Sequence, residues 1–110
     1  MMTSVERNRD TDQLIQAISD LAVQQGDHIS AIPQLSFHHR MHPTDSTHCI
    51  YNLGVGMILQ GQKEVVIGDE HYLCREGQSI LTTIDLPVTS HVVKASPQQP
   101  FLALLLLLDL

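Results

Sequence analysis

Residues 54–91 read GVGMILQGQKEVVIGDEHYLCREGQSILTTIDLPVTSH, and this stretch decides the fold. Gly61, Gly68, Gly77 and Pro87 divide it into apolar runs of strand length. Gly68-Asp69 separates Val65-Val66-Ile67 from His71-Tyr72-Leu73-Cys74, a turn dipeptide between two β-prone runs, and predicts a hairpin. Gly61-Gln62 reads as a second turn, between Met57-Ile58-Leu59 and the Val65 run. Gly77-Gln78 reads as a third, before Ile80-Leu81-Thr82-Thr83-Ile84. Strand and glycine in repeated succession are the signature of an antiparallel barrel or sandwich.

The flanks extend this pattern. Residues 1–10 read as a flexible tail. A helix is expected over about 11–25, capped by Asp10 or Thr11, with Asp12 in the first turn where negative charge suits the helix dipole. Leu14, Ile18 and Leu21 recur at helical spacing, Ile15 and Ala22 widen the stripe, and Gly26 reads as the stop. Such a stripe packs on the barrel; docking a partner is the alternative. The barrel is expected over about 31–110, so that 11–110 forms a single domain. Leu35, Phe37, His39 and Met41 alternate with Ser36, His38, Arg40 and His42, the period of a half-buried strand. Pro43-Thr44-Asp45-Ser46 is a loop by composition. Cys49-Ile50-Tyr51 leads into Leu53, Val55, Met57 and Leu59, which alternate with Gly54, Gly56, Ile58 and Gln60. Val88–Ala95 forms another strand. Phe101–Leu108 is apolar at every position, so periodicity is uninformative there, and its place after a series of strands favours a strand.

The chain has 110 residues, 43% hydrophobic and 16% charged, which describes a folded domain with a modest core. Its net charge is −6, with six Lys plus Arg against twelve Asp plus Glu. That balance disfavours direct binding to nucleic acid or to anionic membranes, since phosphate contacts need a basic surface. The first twelve residues, MMTSVERNRDTD, carry no apolar signal core. A cytoplasmic location follows as an expectation, with Cys49 and Cys74 kept reduced. The longest apolar run is far shorter than the about 20 residues a spanning helix needs.

Seven histidines invite a metal hypothesis, and His38, His39, His42 and His48 cluster within eleven residues. Metal sites need three or four converging ligands, and no established spacing supports one here. Metal-binding cupins place two histidines and a glutamate just after a glycine; Gly61-Gln62-Lys63-Glu64 holds no histidine. Their second motif, a histidine shortly after a proline, is partly echoed by Pro87-Val88-Thr89-Ser90-His91. No nucleophile motif occurs, and Asp69-Glu70 lies at a hairpin tip. The sequence therefore leads to no catalytic residue, no metal and no cofactor. What remains is a barrel whose interior can hold a ligand, with Arg40, Tyr51, Tyr72 and His91 as polar candidates and Met57 and Leu59 as apolar wall.

Several segments resemble the N-terminal domain of AraC-type transcriptional regulators. They are Tyr51-Asn52-Leu53, Met57–Lys63, Ile67–Tyr72, Gly77–Leu81, Asp85-Leu86-Pro87-Val88, Ala95-Ser96-Pro97 and Pro100–Leu104. The resemblance covers roughly residues 33–110. It implies a mainly β fold, a cupin-like antiparallel barrel or double-stranded sandwich with one N-terminal helix, that senses a small effector and is not an enzyme. It also implies DNA contact only through a C-terminal helix-turn-helix region, which is expected to lie beyond this chain, a fragment of a longer product on this reading. A small metal-dependent cupin enzyme and a ligand-free dimerisation module are the alternatives. Read as a strand, Phe101–Leu108 wants both faces buried, so Leu104, Leu105, Leu106 and Leu107 are expected to mediate self-association, as a homodimer.

Overall fold

Short strands with alternating faces fold into two antiparallel sheets in the computed structural model, which describes residues 2–4, 9–21 and 25–108. In chain order the elements are β1 (Met2–Ser4), α1 (Arg9–Leu21), β2 (Gly26–Ile29), β3 (Leu35–Arg40), β4 (Thr47–Tyr51), β5 (Gly54–Gln60), β6 (Gln62–Ile67), β7 (Glu70–Cys74), β8 (Gln78–Thr82), β9 (Leu86–Lys94) and β10 (Phe101–Leu107). The larger sheet runs β1-β8-β5-β10-β3-β2 and the smaller β4-β9-β6-β7. This is the mainly β, cupin-like architecture with one N-terminal helix that the sequence implied.

Alternation along the strands divides the apolar residues between two cores. Ile58, Val65, Cys74, Val88, Val92, Phe101 and Ala103 meet between the sheets. Leu59, Leu102 and Phe37 point the other way, where Ile15 and Ile18 of α1 cover them. β10 serves both cores, which is why a run of unbroken apolar character suits it. Leu102 is fully buried on the helix side and Phe101 is buried on the barrel side.

The punctuation behaves in two ways. Gly68, at φ 59°, and Asp69 close a hairpin in which Ile67 pairs with Glu70. Gly61 and Gly77 instead carry the chain from one sheet to the other, since β5 pairs with β8 and β10 while β6 pairs with β7 and β9. Gly61 has a left-handed φ of 83°, and a Cβ there would lie 2.6 Å from the Lys94 carbonyl oxygen and 3.0 Å from Phe101 Cα. Only glycine lets the backbone pass between those strands.

Several boundaries differ from expectation. The helix, Arg9–Leu21 among the described residues, begins at Arg9 rather than at about 11. The expected contribution of Ala22, and the expected helix over 22–24, lie outside the described residues. Gly26, at φ 134°, is no helix stop; it is the first residue of β2, which pairs with β3. The N-terminal residues expected as a tail include β1, where Met2 pairs with Ile80 and Ser4 with Gln78. The free edge of β8 supplies backbone partners there, a long-range satisfaction that local composition does not reveal. β4 and β5 are separate strands in different sheets, broken at Asn52-Leu53.

Candidate functional site

A cavity of about 450 Å³ opens between the two sheets. Its apolar wall includes Ile58, Ile80, Val92, Phe101, Ala103 and Leu105, and its polar groups include His38, Arg40, Thr47, Tyr51, Lys63, Thr82 and Ser90. A cavity of this size, mostly apolar with a few convergent polar groups, is the usual form of a small-molecule site. Gly56 lines it, and a Cβ added there would meet only the Leu104 carbonyl oxygen, at 3.8 Å. The missing side chain leaves open space in the wall.

Alternation aims the polar groups. In β3, Phe37 packs under the helix, so His38 and Arg40 turn toward the cavity. Asp27 of β2, opposite His38 in register, accepts hydrogen bonds at one oxygen from Arg40 (2.7 Å) and His38 Nδ1 (2.8 Å). Partial burial pushes the Asp27 carboxyl up, but the hydrogen bonds and charges of His38 and Arg40 outweigh it and hold the group below the usual carboxylate range. Arg40 also donates to the His39 carbonyl at 3.0 Å. Its guanidinium is therefore already engaged.

In the smaller sheet, Val65 lies in the barrel core, so Lys63, two residues earlier on β6, faces inward as well. Its Nζ donates to Tyr51 Oη at 2.7 Å and sits 4.9 Å from the Tyr51 ring centroid. Nearby, burial pushes the Cys74 thiol up, against the opposing charge of Lys63. Cys49 and Cys74 are both unbridged thiols.

The expected effector-binding residues divide accordingly. Arg40, Tyr51, Met57 and His91 border the cavity. Met57 does so while packing on the helix-side cluster. His91 borders it near the loop, where its Nδ1 lies 3.3 Å from Ser46 Oγ. Leu59 and Tyr72 lie outside it. Leu59 shares the parity of Met57 and is buried beneath α1. Tyr72 is on β7, hydrogen-bonded to Glu70, whose bond and charge push its hydroxyl above the ordinary range. Leu104, Leu105 and Leu107 border the cavity, whereas Leu106 is 37% exposed. Sequence reasoning missed Lys63 and Asp27. The parity of Lys63 with Val65 and Ile67 was a usable signal; Asp27 lies in a strand that the sequence did not suggest.

The clustered histidines disperse. His38 bonds Asp27, while His48 lies 3.1 Å from Thr89 Oγ1 in the smaller sheet. Among the described residues no three His, Cys, Asp or Glu side chains are arranged to hold a metal ion. No helix among them is long and apolar enough to cross a membrane.

A family model described as the AraC-type transcriptional regulator N-terminus matches residues 31–110. No curated protein matches the chain by sequence. Among solved structures, protein NMB1881 from Neisseria meningitidis is similar with a TM-score of 0.51 at 16% identity, over 93% of this chain and 100% of that one. Salicylate 1,2-dioxygenase from Pseudaminobacter salicylatoxidans is similar with a TM-score of 0.51 at 16% identity, over 92% of this chain but only 34% of the dioxygenase. At this identity both likenesses concern the fold alone. The second corrects one expectation: an enzyme shares this barrel, so the reading of the chain as not an enzyme does not stand.

Proposed function

As the chain belongs to the family of AraC-type transcriptional regulator N-termini, we propose that its barrel senses a small-molecule effector in the cavity between the sheets. One observation carries this reading. β10 is shared, bordering the cavity with Leu105 and Leu107 and seating α1 with Leu102 and Leu104. A ligand against the first pair acts on the strand that holds the helix. Effector binding then favours one arrangement of barrel and helix over another, by its difference in affinity for the two. DNA contact falls, on this reading, to a region outside the described residues, which hold a single helix and belong to a chain of net charge −6. The cytoplasm is the proposed compartment, and a second copy of the chain the proposed partner.

Gly56→Val provides the test. The side chain enters open space, and valine suits a strand, so the variant should melt within a few degrees of the parent. Ligand-observed NMR of a metabolite mixture should show saturation transfer to at least one compound with the parent and none with Gly56→Val. Equal transfer to both proteins, or none to either, would sink the proposal.

A further inference from the structure

We infer that the ligand of this cavity is an organic anion, a carboxylate on a compact apolar body, and that Lys63 and Tyr51 grip its charged end. The inference rests on the reading of the cavity as an effector site and adds the chemical class to it.

The argument begins with charge. The chain carries twelve acidic residues against six basic ones. Yet the cavity wall holds two cations, Arg40 and Lys63, and a single acid, Asp45. Arg40 is already paired with Asp27. Among the described residues no carboxylate pairs with Lys63, whose ammonium donates to the Tyr51 hydroxyl. Lys63 is half-buried and shares the cavity wall with Ile58, Ile80, Phe101 and Ala103, so an anion entering the cavity meets an ammonium that no carboxylate neutralises.

The donor geometry fits a carboxylate. An ammonium has three N–H donors, and Tyr51 accepts one. Because Tyr51 Oη accepts from Lys63, its own hydrogen remains available to donate. Two donors 2.7 Å apart can thus serve the two oxygens of one carboxylate. Hydrogen bonds to a charged acceptor are roughly twice as strong as neutral ones. Thr82 and Ser90 supply hydroxyls for further polar substituents, and the aliphatic wall takes the body.

The test uses defined probes: sodium benzoate and sodium hexanoate against benzamide and hexanamide, titrated by ligand-observed NMR at fixed ionic strength. The carboxylates should bind, and the amides should bind more weakly. Lys63→Met should lose about tenfold in carboxylate affinity, the value of a charged hydrogen bond, and bring it to the level of the amide. Tyr51→Phe, which keeps the ring, should lose less but in the same direction, and serves if Lys63→Met does not fold. Amides binding as well as carboxylates, at a site closed by Gly56→Val, would overturn the anion class and leave the effector cavity standing. Carboxylate binding indifferent to both Lys63→Met and Tyr51→Phe would overturn the assigned grip. No binding by any probe would overturn the inference, while the metabolite screen decides separately on the cavity.

Discussion

Asp27 joins two neighbours of β3 through one oxygen, accepting from His38 and Arg40. Its lowered pKa makes the link pH-dependent. A carboxyl whose folded pKa lies below its unfolded value contributes stability above the unfolded value, near 3.8, and loses it as pH falls through the folded one. The melting temperature should therefore fall as the pH drops below about 4, and Asp27→Asn should flatten that part of the profile. The Asp27 side chain is 61% exposed, so the effect is screened and small, and high salt should shrink it further. Acid melts of the two proteins with identical slopes would refute this role. At this scale the sequence was half legible. The period of two in residues 35–42 set His38 and Arg40 on the face opposite Phe37, because strand alternation is local, but it did not say which face borders the cavity. Asp27 was invisible because its partner lies across a strand pair that only the folded sheet creates.

At the level of elements, β10 has two faces with different duties. Leu102 is fully buried against α1, and Leu102→Ala should cost about 2–5 kcal/mol, read by denaturant unfolding. Leu106 lies on the same outer side but beyond the helix, in register with Leu35 on one neighbour and Val55 on the other, with Leu81 next to Val55. Leu106→Lys should leave stability within about 0.5–1 kcal/mol of the parent. If a second copy covers this row, as proposed, sedimentation across a dilution series gives a concentration-dependent mass for the parent and a monomer for Leu106→Lys. A parent that stays monomeric at high micromolar concentration defeats the pairing. The sequence indicated that both faces of this strand want burial. It did not indicate that α1 would take part of one, since the helix carried its apolar stripe without naming its seat.

For the whole molecule, most strands from Leu35 onward were legible, while β1, β2 and the assignment of strands to sheets were not. Gly61, Gly68 and Gly77 look alike in sequence, yet Gly68 turns a hairpin while Gly61 and Gly77 cross between sheets. Turn chemistry fixes the local backbone, but which strand is met afterwards depends on pairings such as β5 with β10, about 40 residues apart in the chain. The assembled barrel also sets where the aromatic side chains lie, and this has an optical consequence. The chain has no tryptophan and two tyrosines. Tyr51 borders the cavity, and Tyr72 stands outside it with Glu70 at its hydroxyl. Near-ultraviolet emission thus comes from one fluorophore in the pocket and one remote from it. Filling the cavity should change the tyrosine emission of the parent and leave that of Tyr51→Phe unaltered, whereas Tyr72→Phe should keep the response in full. The protein then reports its own occupancy by light, without a dye.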